Sequence, residues 1–240
     1  MELERQRRFL RVFFYVWGMV LLAFGISLNK KTGLGVSPIV SVAYCVSQIG
    51  GFNFGNATFG LYALFVLVEV LAHLWICRRM QLTRGRTRRV VFLDILQVPV
   101  CLVFTRGLNL FEALLPEFAE DFAGSFWGGY AGRILVLVLA IAATGVGAAL
   151  TLDVKLVPNP GDGIVQALAD LAKKETGFMK NCFDFGCISV TAVLSLTMVG
   201  GLVGLGLGTV LAMIGVGRTI AIYHRIVGNR ITSLSEVKAK

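Results

Sequence analysis

The chain has 240 residues, of which 56% are hydrophobic and only 15% charged, with a mean hydropathy of +0.76. So few charges cannot cover a water-facing surface, which excludes an ordinary soluble domain and leaves a membrane-embedded one. The net charge of +9 falls in short collars between apolar runs, a pattern that orients a membrane protein and implies no nucleic-acid partner.

A helix needs about 20 mostly apolar residues to cross a hydrocarbon layer roughly 30 Å thick, and only helices or closed barrels satisfy their backbone groups there. Six stretches qualify: 9–28, 57–77, 90–115, 134–152, 182–199 and 202–223. The expected fold is an all-α, six-span protein forming a single membrane domain over 1–240. The first span follows Arg5, Arg7, Arg8 and Arg11 as in a signal peptide. Its apolar core is long and "SLNKKTG" after it offers no small-x-small cleavage site, so it is read as a retained anchor.

After the first span, "GLGVSP" breaks the chain before a short apolar segment, 38–51. The second span then carries Thr58, Tyr62, Glu69 and His73 at spacings of four, seven and four, which is one helical face. The third repeats the pattern with Asp94, Gln97, Cys101, Thr105, Asn109 and Glu112, with Pro99 among them and Arg106 one step round. The fourth span ends in a second break, "VPNPGDG", and a second short segment, 160–174. Each short segment is too short to span, and proline suits the first helical position. Each either dips into the protein, presenting its free amides inward, or lies flat on the surface as an amphipathic connector. Asn159 or Asp162 is expected to help cap the second. The fifth span adds Asn181, Asp184, Thr191 and Ser195 on one face. The sixth carries Gly200, Gly204 and Gly208, a spacing that lets helices approach closely, within the chain or in a homodimer.

With both termini inside, 19 of the 23 Lys and Arg, Lys180 in the collar before the fifth span among them, fall on the cytoplasmic side, and Glu112, Glu117, Glu120 and Asp121 face outward. A shift of 122 residues brings Gly25 onto Gly147, Leu28 onto Leu150 and Pro38 onto Pro160. Each half, about 9–115 and 131–225, then reads as span, break, short segment, span, span. Three spans are an odd number, so the halves enter the membrane from opposite sides, as in the inverted repeats of many secondary transporters.

Ionisable groups inside spans are costly and point to function. Glu69 sits about 12 Å from the inner edge at 1.5 Å per residue, and it and Asp184 are candidate proton carriers or neutral, hydrogen-bonded carboxyls. Arg106 is an anion contact or half of a buried pair. Asp94 and His73 are placed near the inner headgroups, capping or snorkelling. Cys45, Cys77, Cys101, Cys182 and Cys187 form no C-x-x-C pair and read as small hydrophobes. With His73 and His224 far apart in the chain and no H-E-x-x-H, no metal, no cofactor and no enzymatic activity is expected.

The stretches "GLGVSP", "LQVP", "PGDGIVQAL" and the "FD" at Phe183–Asp184 resemble the YczE/YyaS/YitT-like bacterial integral membrane proteins, over nearly the whole chain. The resemblance implies a six-span protein of the bacterial inner membrane. Asp162, Gln166 and Asp184 match the family pattern, whereas Asn109 stands where its third span often ends in an acid. Together these features imply a transporter of a small polar or charged solute, with proton coupling an option. Its midplane binding site would be built from Ser37, Pro38, Tyr62, Glu69, Gln97, Arg106, Gly161, Asp162, Gly163, Gln166 and Asp184. The alternative is a non-transporting assembly or regulatory protein whose basic cytoplasmic face holds a partner.

Overall fold

A computed structural model describes residues 2–154 and 156–228; Lys155, Arg230, Lys238 and Lys240 of the basic collar lie outside the described residues. The described residues form helices α1 (Glu2–Lys31), α2 (Pro38–Gly50), α3 (Phe54–Arg79), α4 (Arg84–Leu114), α5 (Phe118–Asp121), α6 (Tyr130–Val154), α7 (Pro160–Ala172), α8 (Thr176–Met198) and α9 (Leu207–Tyr223). A π-helical turn, His224–Gly228, follows. Six helices, α1, α3, α4, α6, α8 and α9, are long and apolar enough to cross a membrane. Their outward faces carry exposed large apolar side chains, among them Trp17, Leu67, Leu71, Val103, Val138 and Val193, as a lipid contact requires. The bundle has a basic end, where Arg78, Arg79, Arg84, Arg86, Arg88 and Arg89 join α3 to α4, and an opposite end marked by Glu112, Glu117 and Glu120.

The most enclosed span is α6, and α1 runs along it at backbone contact. Glycine makes that approach possible: a Cβ on Gly25 would sit 2.4 Å from the Thr144 hydroxyl, and one on Gly147 2.5 Å from the Leu22 amide. Arginines tie off the carbonyls left over at the helix ends. Arg11 Nη2 donates to the Val154 carbonyl (2.9 Å) and Arg133 Nη1 to the Thr32 carbonyl (3.3 Å). The Tyr15 hydroxyl donates to the Val157 carbonyl (2.8 Å), pinning the link between α6 and α7 to α1.

The short helices do not lie flat. α2 packs against α8 and α3, while α7 packs against α3 and α8, and Val40 (0% exposed) and Ile164 (1%) lie deep in the bundle. Each begins with a proline, and the two starts meet: a Cβ on Gly161 would lie 2.8 Å from Ile39 and 3.2 Å from the Tyr62 hydroxyl. The apolar content of 38–51 and the apolar face of 160–172 thus serve burial against spans rather than a headgroup surface.

One helix departs from expectation. α9 starts at Leu207 rather than 202, because Gly200 (φ 77°) and Gly204 (φ 73°) adopt the left-handed conformation in the preceding link. Gly200 and Gly204 therefore lie outside the helix, and the small-residue stripe expected to pack helices closely, within the chain or in a homodimer, has no helical basis. Instead the link packs on the chain's own break after α1. The Val36 amide donates to the Gly204 carbonyl (2.9 Å) and the Gly208 amide to the Leu34 carbonyl (2.7 Å). A Cβ on Gly204 would strike the Tyr44 ring at 2.4 Å.

Candidate functional site: an interior pocket where two helix starts meet

A cavity of about 340 Å³ runs into the bundle from the basic end, lined by Glu69, His73, Asp94, Gln97, Asp162, Gly163, Gln166 and Lys180 among others. Val90, near the start of α4, and Thr176, at the start of α8, mark its mouth. A smaller space of about 40 Å³ lies deeper, lined by Ser37, Ile39, Tyr62, Asn159 and Gly161, and it shares Asp162, Lys180 and Ile220 with the first. Both Pro-led helix starts border this inner space, Ser37 as N-cap of α2 and Asn159 as N-cap of α7.

The expected side-chain cap is absent. The amides of Asp162 and Gly163 donate to the Asn159 carbonyl (2.8 and 2.9 Å), so the backbone closes the turn and frees both polar side chains. Burial holds the Asp162 carboxyl above the usual carboxylate range; Lys180 opposes this and Asp184 adds to it. Lys180 Nζ lies 3.2 Å from Asp184 Oδ2, an i,i+4 pair on one face of α8. Asp184, 2% exposed, is therefore half of an ion pair and not a lone carboxyl.

On the facing wall, Gln97 Nε2 donates to Glu69 Oε1 (2.8 Å), and His73 Nδ1 lies 2.9 Å from Asp94 Oδ2. Glu69 and Gln97 are 2% and 1% exposed, yet Glu69 Oε2 and Gln97 Oε1 have no hydrogen-bond partner among the described residues. Gly163 is what lets α7 approach this wall. A Cβ there would lie 2.6 Å from Glu69 Oε2 and 2.9 Å from Gln97 Oε1, so any side chain would displace those two groups.

Of the residues expected in the site, Glu69, Gln97, Asp162, Gly163 and Gln166 line the larger cavity, and Ser37, Tyr62 and Gly161 the deeper one. Pro38 is buried at the start of α2, and Asp184 reaches the site through Lys180. Gln166 is at the mouth, accepting from Thr176 (3.1 Å) and donating to Asp170 (3.2 Å). Tyr62 stacks on Phe104, its ring 6.1 Å away. Arg106 stands apart: it is exposed and donates to Asn56 Oδ1 (3.1 Å) in the first turn of α3. One residue past Thr105 is a rotation of about 100° on a helix of 3.6 residues per turn, enough to turn it away from the cavity. His73, Asp94 and Lys180 are site residues that the sequence reading assigned to the membrane edge. The signal for two of them was present, since Glu69 and His73 are four apart on α3, and Asp94 and Gln97 three apart on α4.

A family model described as a family of unknown function, DUF6198, matches residues 9–225. The chain belongs to that family. It is similar to the "Uncharacterized membrane protein YczE" of Bacillus subtilis (strain 168), 24% identical over 214 residues that cover 89% of this chain and 85% of the relative. No solved structure matches the chain. With six spans and this relative, the DUF6198 chain is a multi-pass membrane protein.

Proposed function

We propose that the protein is a secondary transporter of a small polar or charged solute in a bacterial cytoplasmic membrane, with both termini and the basic end in the cytoplasm. The observation that carries this reading is the meeting of the α2 and α7 starts at an interior space that shares Asp162, Lys180 and Ile220 with a cavity open at the basic end. Paired broken helices at a midplane site are the arrangement by which many transporters present backbone amides to a solute. Two inverted repeats, about 9–115 and 131–225, give that arrangement its origin. Several contacts support them, each recurring with both residues moved by the same 122 positions. Arg11 on the Val154 carbonyl matches Arg133 on the Thr32 carbonyl. Gly25 against Thr144 matches Gly147 against Leu22, and Ser41 against Thr191 matches Gly163 against Glu69. The packing of α3 along α4 is not matched, since α8 and α9 barely touch.

In this reading the open cavity is the cytoplasmic vestibule, and Glu69 is the carboxyl available for coupling to protons, because Lys180 already engages Asp184. Purified protein in liposomes should move at least one member of a panel of small polar and charged metabolites, with or without a proton gradient. In a cysteine-free background, single cysteines at positions 97, 162 and 166 should react with a water-soluble maleimide and one at 41 should not. Unreactive cysteines at 97 and 162, together with no movement across the panel, would overturn the transporter and favour a dry assembly or regulatory protein.

A further inference from the structure

We propose that Glu69, His73, Asp94 and Gln97 form a binding site for a divalent transition-metal cation of the Mn²⁺, Co²⁺, Ni²⁺ and Zn²⁺ class. One ligating atom each from Glu69, His73 and Asp94 lies within 4.8 Å of the others, the residues coming from two adjacent spans. The closest edge, His73 Nδ1 to Asp94 Oδ2, is 2.9 Å. An octahedral ion with bonds of about 2.1 Å has ligand–ligand edges of about 3.0 Å, so this edge already has the right length, and from within 4.8 Å the other ligands close in by at most about 1.8 Å of side-chain movement.

The second observation is independent of the cluster. Glu69 Oε2 and Gln97 Oε1 are buried in the cavity wall and accept nothing. Gln97 cannot be turned to relieve this, because its amide nitrogen is committed to Glu69 Oε1 and the reverse orientation would set oxygen against oxygen. A buried acceptor without a donor is costly, and two buried carboxylates beside it more so, unless a cation sits among them. Lys180, which among the described residues is the lysine lining the same cavity, is held at the other wall by Asp184. Gly163 keeps the space in front of the orphan oxygens clear of any side chain.

The ligand types set the class. One imidazole nitrogen with carboxylate and amide oxygens suits the first-row divalent metals, whereas Mg²⁺ and Ca²⁺ take oxygen sets and Cu⁺ takes sulfur. The cavity of about 340 Å³ leaves room for an ion that keeps waters, and its mouth at Val90 and Thr176 is an entry path. Both ligand pairs stand on spans at helical spacing, so the site is held by rigid elements.

The inference does not depend on transport. Chelator-treated protein in detergent should bind about one equivalent of Mn²⁺ or Zn²⁺ by calorimetry, with protons released because ligands must be deprotonated. Each metal at a hundred times its Kd should raise the melting temperature, an effect absent in Glu69→Gln and cut at least tenfold in apparent affinity in His73→Gln. If Glu69→Gln does not fold, Gly163→Ala tests the same point, since its methyl crowds the orphan oxygens while every ligand residue keeps its identity. Arg106→Gln should bind as the parent does. No saturable binding of either metal by the parent, or equal binding of Mg²⁺, overturns the assignment; so does an infrared signature of a protonated Glu69 that metal leaves unchanged. Protein that binds metal but moves no solute loses the transporter reading and keeps this site.

Discussion

The two short helices meet their neighbours in very different ways. Where α2 lies on α8, Ser41 and Thr191 share a hydrogen bond (2.7 Å), and Cys45 and Ser195 approach to 3.2 Å, in a contact made of small, satisfied, neutral groups. Where α7 lies on α3, Gly163 faces Glu69, with orphan oxygens, four further ionisable groups and a cavity. The contact of α2 with α8 is thus neutral and hydrogen-bonded, whereas that of α7 with α3 borders a polar chamber. Similar backbone geometry does not commit the two ends to similar chemistry. A serine-to-glycine difference opens the room, and a threonine-to-glutamate difference fills it with charge.

The sharpest way to break this contrast is Lys180→Met. It strands buried Asp184 without its cation and should cost about 3 kcal/mol, the lower end of the range for a split buried pair because Lys180 is partly exposed. The position 122 residues earlier is Thr58, whose hydroxyl only returns to the Phe54 carbonyl, so Thr58→Val should cost far less. Chemical unfolding in detergent compares the two, and equal losses would erase the contrast. Adding Asp184→Leu to Lys180→Met should restore most of the stability.

Next in size, Gly163→Ala forces a methyl to within 3 Å of Glu69 and Gln97, which should cost about 1–3 kcal/mol by overpacking and abolish binding in the chamber. A thermal melt and a binding isotherm on the same sample read both. On the sealed side, Ser41→Ala removes one interhelical hydrogen bond and should cost only about 0.6 kcal/mol, with binding intact. Smallest of all, Arg106→Gln should change stability by less than about 0.5 kcal/mol and leave uptake unaltered. A large uptake defect there would move the site toward the opposite end of the bundle.

Hydropathy alone located all six spans, because a long apolar run has one stable fate in a bilayer. The two breaks were legible as well, since proline and glycine state backbone geometry directly, and the wet faces of α3 and α4 followed from period. Partnerships between helices were not legible. Nothing along the chain says that His73 comes level with Asp94, because register between two spans is set by packing and not by either sequence's period. Lys180 was counted as a collar charge since it lies one turn inside α8; only the depth of Asp184 reveals that it points inward. Arg106 erred the other way, for a helical stripe is narrow and a residue one step off it faces lipid or headgroups. The glycines before α9 looked helical by spacing, while their positive φ angles answer to Tyr44 and the 34–36 link, neither of which is near them in sequence.

The arginine ties also have a bearing on the order of assembly. Arg11 and Tyr15 belong to α1, yet the carbonyls they hold, Val154 and Val157, are synthesised more than 140 residues later. Arg133, in turn, arrives long after the Thr32 carbonyl that it satisfies. Neither break can therefore be fully anchored by its own neighbours in sequence: the break after α1 waits for α6, and the break after α6 needs α1 already seated. In a chain made from its N-terminal end, the turn after α1 therefore stays incomplete until α6 is made, and both arginine ties can form only once α1 and α6 lie side by side.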